Sequence, residues 1–238
     1  MEIEVWSDVV CPFCYLGKRH LAAALAEFEH RDEVTVTWRS FLLDPTTEPG
    51  EPGSSVERLT KKYGMPLVDA QANQERLRAS GAEVGIDFRW DLERPDNTID
   101  AHRFAHLVRA TVPDQADAVT ERLFRAHFTE GLLLSDHNVL ADLGAEFGVD
   151  RTVVLETLAG DAYRDAVEED LAQARAYGIS GVPFFVLNGA YGVSGAQPVA
   201  VLSSALQQAW DAGHALVTVT GAGTDADGAS CEGDACAI

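Results

Sequence analysis

The 238-residue sequence predicts an α/β fold whose sheet is assembled from the two ends of the chain. Three patterns carry that prediction. The chain opens with alternation at strand period, then apolar spacing at helix period, then a second alternating run, which reads as β-α-β. From about 56 to 178 every convincing period is helical. Strands then return, and the chain closes as β-β-α.

The first strand lies in Glu2 to Trp6, where polar and apolar residues alternate and Ile3 and Val5 share one face. Leu21, Leu25 and Phe28 place a helix over 14–30, starting at or near Cys14. Val34-Thr35-Val36-Thr37-Trp38 is β-branched and alternating, a second strand. Trp6 and Trp38 read as core aromatics flanking these strands. Residues 44–55 break regularity with Pro45, Pro49, Gly50, Pro52 and Gly53. Glu57, Arg58, Lys61 and Lys62 read as a solvated helix face. Asn97 is placed to cap a helix carrying Ile99, His102, Arg103 and Leu107. Val119, Leu123 and Phe124 mark another. Ser135 is placed to cap a third, built on Val139, Leu140, Leu143 and Phe147 and closed by Gly148. Asp161 opens a fourth, with Val167, Leu171 and Ala174 on one face and Gly178 at its end. Val182 to Leu187 is a continuous apolar run, the pattern of a buried strand. Asn188-Gly189 is a two-residue hairpin signal, and Ala190 to Ser194 is the returning arm. Pro198 suits the first turn of a last helix that buries Leu202, Leu206 and Trp210. Beyond Gly213 the chain has no Lys or Arg and reads as a flexible acidic tail.

Composition bounds the partners. The net charge is −20 and the pI near 4.5, which sets the chain against nucleic acid and anionic membrane surfaces. A hydrophobic fraction of 46% supports an ordinary globular core. The first ten residues carry Glu2, Glu4 and Asp8 and lack the basic and apolar regions of a secretory signal, and no apolar run is long enough to span a bilayer. The expected location is the cytoplasm. Four cysteines in 238 residues do not make a disulfide scaffold; in a reducing compartment a Cys-x-x-Cys pair points to redox or metal chemistry.

That pair is Cys11-Pro12-Phe13-Cys14, set between the first strand and the first helix. A thiol at a helix start meets unpaired backbone N–H groups and the positive end of the dipole, both of which favour the reactive thiolate. The competing reading is half of a zinc site completed by Cys231 and Cys236. The strand–helix position favours redox chemistry, and no metal is expected. Pro183, after Val182, reads either as a strand-start proline or as part of the same site.

The order β-α-β then β-β-α, with Cys-x-x-Cys at the first helix start, resembles the thioredoxin layout, and the helical block between the halves makes it resemble the DsbA family. Ser7-Asp8-x-x-Cys11-Pro12-Phe13-Cys14-Tyr15-x-Gly17, Asn97-Thr98-x-x-Ala101-His102-Arg103 and Gly178-Ile179-Ser180-Gly181-Val182-Pro183-Phe184-Phe185 carry a closer resemblance to its FrnE-like cytosolic branch. The resemblance implies a thioredoxin-like domain from 1–43 and 179–212, a helical insertion domain over 44–178, and a tail over 213–238. It implies that Cys11 attacks, that Cys14 resolves the mixed disulfide, and that Pro183 forms a cis peptide with Val182 against the pair. Val182, Pro12 and Phe13 then become substrate contacts. His102 is a further candidate for the substrate groove, its other reading being a packed helix histidine. Phe13 departs from the tryptophan expected in this branch and adds no positive charge beside the thiolate, which leaves the redox direction open. The expected activity is a thiol–disulfide oxidoreductase or isomerase acting on protein or peptide thiols and disulfides. It requires no cofactor, with glutathione as a thiol partner. The alternative is a glutathione-dependent isomerase or transferase resembling 2-hydroxychromene-2-carboxylate isomerase, a class in which serine typically stands where Cys11 does.

Cys231 and Cys236 form a second candidate redox pair. The 20 residues from Asp211 to Cys231 give a flexible linker an r.m.s. span of roughly 25 Å. That is long enough to bring the tail back over the domain at an effective concentration up to the order of mM. The opposing reading is a dispensable end.

Overall fold

The computed structural model describes residues 1–50 and 53–214; the tail pair Cys231 and Cys236 lies outside the described residues. Four strands form one sheet in the order β2-β1-β3-β4, with β1 (Glu2–Ser7), β2 (Thr35–Ser40), β3 (Phe184–Leu187) and β4 (Tyr191–Ser194). β1 runs parallel to β2 and antiparallel to β3, which in turn pairs antiparallel with β4. α1 (Pro12–Glu27) is the crossover between the parallel strands, as parallel pairing requires.

β1 is central, and it is buried along nearly its whole length. Ile3 and Val5 pack with Leu21, Phe185, Leu202 and Leu206 under α1 and α9 (Val199–Gly213). Trp6 packs on the other face with Ala174 and Val186. The alternation of polar and apolar residues in β1 therefore does not mean one wet face. Glu4, between Ile3 and Val5, is buried as well, because Arg39 reaches across from β2 to its carboxylate at 2.6 Å.

Between β2 and β3 lie α2 (Ser55–Tyr63), α3 (Leu67–Glu83), α4 (Ile99–Thr111), α5 (Ala116–Phe128), α6 (His137–Glu146), α7 (Arg151–Ala159) and α8 (Arg164–Ala176). Several ends differ by a few residues from the sequence reading, each for a local reason. α1 begins at Pro12, which needs no backbone N–H bond there, so Cys11 rather than Cys14 stands at the helix start. Asp136, not Ser135, caps α6 by accepting the N–H of Asn138. α8 opens at Arg164 after Tyr163, a residue in the left-handed region at φ 62°. Glu57 belongs to a capping box with Ser54 rather than to a plain solvated face. α7 had no separate signal; it is short, and Val153 on its surface blurs the apolar period. Thr98, not Asn97, is the N-cap of α4 and its side chain makes no capping bond; Asn97, one residue earlier, accepts the N–H of Ile99 at 3.1 Å. Asn188 and Gly189 both take positive φ, but the paired residues Leu187 and Tyr191 leave three residues in the turn rather than two.

The helices build a second apolar core from Phe104, Val108, Leu123, Leu140, Val154 and Leu158. Within it Arg103 is almost fully buried and donates to the carbonyls of Thr157, Leu158, Gly160 and Ala162, closing the C-terminal end of α7, where a cation is favoured.

A buried carboxylate ties the helices to the sheet. Asp170 on α8 accepts the N–H of Ser40 at 2.8 Å and pairs with Arg39 at 3.1 Å and His106 at 3.1 Å, while its carbonyl accepts the Trp6 indole N–H at 2.9 Å. Burial works against the charge of Asp170, but His106, the Ser40 amide and Arg39 outweigh it and hold the pKa below the ordinary value. For His106, burial dominates and pushes its pKa down despite Asp170. Both shifts act in the same direction on stability. A histidine depressed in the fold binds fewer protons than the unfolded chain just below about pH 6.5, and a depressed aspartate does so below about pH 3.9. Stability from this cluster is present at neutral pH and declines on acidification, first as pH drops below the ordinary histidine value and again below the ordinary carboxylate value. Asp170→Ala should cost about 3 kcal/mol, because Arg39 and the Ser40 amide lose their partner. Urea unfolding of both forms from about pH 5 to about pH 2 should show a wild-type advantage that shrinks as Asp170 is protonated, and an advantage independent of pH in that range would contradict the assignment.

Candidate functional site

The site forms where β1 ends. Ser7 closes the strand, the backbone turns through Asp8-Val9-Val10, with the Cys11 N–H bonded to the Asp8 carbonyl at 3.0 Å, and α1 starts at Pro12. Cys11 is the N-cap residue, and its carbonyl accepts from the amides of Cys14 and Tyr15 at 3.0 and 3.3 Å. Its side chain caps nothing. The thiol instead points to the segment just before β3, donating to the Val182 carbonyl at 3.6 Å. Both cysteines are reduced and buried, Cys14 completely.

The two thiols differ in surroundings. Burial pushes the Cys14 thiol well above its ordinary pKa, and the neighbouring Cys11 adds to this; Ser7 and the Asp8 backbone act in the opposite sense. Cys14 sits among Tyr15, Leu16, Phe88, Phe124 and Phe128. Tyr15 stacks on Phe124 with centroids 4.9 Å apart and donates its hydroxyl to Glu121 at 2.6 Å. Burial and that carboxylate push the Tyr15 pKa up to about 12. Lys18 and Arg19 also reach α5, at Asp117 (2.7 Å) and Glu121 (2.6 Å), so charged contacts fasten the face of α1 below the cysteines to the helical layer.

The other predicted residues fall as follows. Pro183 follows Val182 through a cis peptide and lies against α1 at Gly17, where a Cβ would stand 2.9 Å from Pro183 Cγ and 3.2 Å from Phe185 Cζ. Only glycine lets α1 and the Pro183 segment come this close. Pro12 and Val182 are half-buried, and Phe13 is 52% exposed beside Cys11, an apolar ring facing solvent. His102 is not on an open groove. It is 5% exposed, with Nε2 3.4 Å from Oδ1 of Asp8, because the end of β1 and α4 close over it. Asp8 is itself fully buried and accepts the Leu43 N–H at 2.7 Å. Ser7, Asp8 and Gly17 were visible in the sequence as parts of a motif, but nothing there assigned them a task. A charged residue between an apolar strand and a reactive pair was the available signal. Among the described residues no cluster of His, Cys, Asp or Glu could hold a metal ion, and no helix is long and apolar enough to cross a membrane.

Comparison with known proteins agrees with this geometry. A probable DsbA oxidoreductase from Streptomyces coelicolor is 39% identical, with a TM-score of 0.83 over 98% of this chain and 100% of that one. A 2-hydroxychromene-2-carboxylate isomerase shares the fold at 17% identity, with a TM-score of 0.65 over 90% and 98% of the two chains. The cytosolic disulfide reductase DsbM from Pseudomonas aeruginosa, solved with glutathione, shares it at 20% identity, with a TM-score of 0.61 over 87% and 98%. Residues 2–207 match the DSBA-like thioredoxin domain, and with a strand-to-helix cysteine pair facing a cis-proline segment, the chain belongs to that family.

Proposed function

We propose that this protein is a cytoplasmic thiol–disulfide oxidoreductase or isomerase of the FrnE-like kind, working on protein or peptide thiols and disulfides. The observation that carries the reading is the pairing of an N-cap cysteine with a buried one. Cys11 stands at the start of α1 with its sulfur pointing at the Val182 carbonyl, while Cys14, one turn on, is completely buried. In the reducing direction the Cys11 thiolate attacks one substrate sulfur, forming a Cys11–substrate disulfide and releasing the other sulfur as a thiolate. Cys14 then attacks Cys11 Sγ, closing the Cys11–Cys14 disulfide and releasing the second substrate thiolate. The oxidising direction is the reverse. Electrons enter from a thiol such as glutathione, and no metal or organic cofactor takes part. Pro12, Phe13 and Val182 supply the substrate surface, with Phe13 as an apolar contact and the Val182 carbonyl as a backbone acceptor. Cys231 and Cys236 exchange with Cys11 and Cys14 as an internal relay.

Three measurements test this. In insulin reduction, Cys11→Ser should abolish turnover, and Cys14→Ser should accumulate a covalent Cys11–substrate adduct visible by mass spectrometry. Turnover by Cys11→Ser would refute the reading, as would glutathione-dependent isomerase activity without any disulfide turnover. Gly17→Ala should push Pro183 away from α1. The overpacking should cost about 1–3 kcal/mol of stability, and kcat/KM for insulin should drop at temperatures where the variant is still folded; an unchanged kcat/KM would remove Pro183 from the proposed site. A double Cys231→Ser/Cys236→Ser variant should lose turnover several-fold and shift the reduction potential of the Cys11–Cys14 pair. If neither changes, there is no relay.

A further inference from the structure

The resolving step has an unassigned proton. Cys14 must lose one to attack Cys11, yet it is wholly buried, in surroundings that favour the thiol. No bulk water touches its side chain, so a neighbouring group has to take the proton first.

The structure offers one direction. Six buried side-chain polar atoms among the described residues complete no hydrogen bond, and three of them lie together behind Cys14: Ser7 Oγ, Asp8 Oδ1 and His102 Nε2. Ser7 Oγ faces the Cys14 thiol, although its hydroxyl makes no hydrogen bond of normal geometry there. Ser7 and His102 also line one small pocket of about 20 Å³, together with Ser40, Thr120 and Arg109. That volume suits a single water, which needs two to four polar partners. His102 Nε2 lies 3.4 Å from the Asp8 carboxylate, too poorly aligned to bond it. Leaving three such atoms unsatisfied is costly, so the arrangement calls for a shared partner.

We propose that Ser7 Oγ, one buried water and His102 Nε2 form a proton path that accepts the Cys14 proton during resolution, with Asp8 stabilising the imidazolium. The proposal rests on the reading of Cys14 as resolving thiol. The Cys14 sulfur gives its proton to Ser7 Oγ as its electron pair bonds to Cys11 Sγ. Ser7 passes its own hydroxyl proton to the water, and the water passes one to His102. The Cys11–substrate bond breaks, and its electron pair leaves with the substrate thiolate. The dithiol is thereby oxidised to a disulfide and the substrate disulfide reduced, with one proton stored on His102. Other charged groups around His102 are Arg39 on β2, Asp170 on α8, and His106 and Arg109 further along α4. Arg39, His106 and Arg109 are engaged with Asp170, Glu4 or the Trp38 carbonyl, which leaves Asp8 as the carboxylate directed at Nε2.

Stopped-flow reaction of the reduced full-length protein, in excess, with dithiobis-nitrobenzoate separates the steps once Cys231→Ser and Cys236→Ser, carried in every variant compared, have removed the tail thiols. The first thiolate released reports attack by Cys11, and the second reports resolution by Cys14. His102→Gln should slow the second phase relative to the first by on the order of 10²-fold near pH 7. The deficit should shrink as pH rises and hydroxide takes over the proton. Ser7→Ala, a smaller change that covers the case in which His102→Gln does not fold, should slow the same phase in the same sense, with near-UV circular dichroism checking the fold. A second phase within about twofold of wild type, with an unaltered pH profile, in either folded variant would overturn the path. Cys14→Ser distinguishes that failure from failure of the functional reading. It should release only the first thiolate, and if a second still appears, Cys14 is not the resolving thiol at all.

Discussion

The Asp170 carboxylate is where the two cores of this protein meet. It is 1% exposed, on a helix of the long segment between β2 and β3, and it is bonded to groups from β2 and α4 while its own carbonyl holds a side chain of β1. An ionised carboxylate in that position survives only because each oxygen is occupied, Oδ1 by Arg39 and Oδ2 by the Ser40 amide and His106. The contacts are directional, so they fix the angle at which α4 and α8 lie against the sheet. The apolar clusters on either side supply the bulk of the attraction, but apolar contact alone specifies such an angle loosely.

The site inherits that angle. His106, bonded to Asp170, is one helical turn beyond His102 on α4, so the same placement that satisfies Asp170 brings His102 to Asp8 at the end of β1. β1 delivers Ser7 and Asp8, and the turn after it delivers Cys11. On the far side α8 ends, Gly178 takes φ 69°, and the chain passes through Val182 and Pro183 into β3. Cys11 and Val182 are 171 positions apart in sequence, yet they meet because β1 and β3 are adjacent, with Trp6 opposite Phe184. Gly17 then sets how closely α1 and the Pro183 segment approach. Geometry at the thiols is thus governed by strand pairing, one glycine and one buried charge cluster.

What could be read from the sequence follows from this division. Strand and helix periods, the Cys-x-x-Cys placement and the Val-Pro before a buried strand are local patterns, and each predicted its element to within a few residues. The polar residues that hold the layers together have no such signature. Asp170 sits in the stretch Glu168-Glu169-Asp170, where three acids in a row look like a solvated helix face, and only the packing of α8 turns the third inward. Glu4 reads as the wet side of β1 until Arg39 crosses to meet it. Asp8 and His102 are 94 positions apart in sequence, so neither one points to the other. Burial of a charge depends on a partner from another element, and a periodicity argument sees one element at a time.

The same reasoning applies to the cysteines themselves. They are identical groups separated by two residues, and spacing makes them a pair without making them different. Their environments differ. Cys11 stands at the N-cap, where amide groups lack intrahelical partners, and its buried thiol donates to the Val182 carbonyl. Cys14, one turn later, has passed into the aromatic layer of Phe88, Phe124 and Phe128, where the neutral thiol is the stable form. Under the proposed function, a thiol kept neutral would not initiate attack on an incoming disulfide. If Cys14 resolves as proposed, it must be deprotonated in place when its turn comes. On the proposed function a redox pair set into a folded core needs an internal route for a proton, and Ser7, beside Cys14, is where the proposed route through His102 and Asp8 begins.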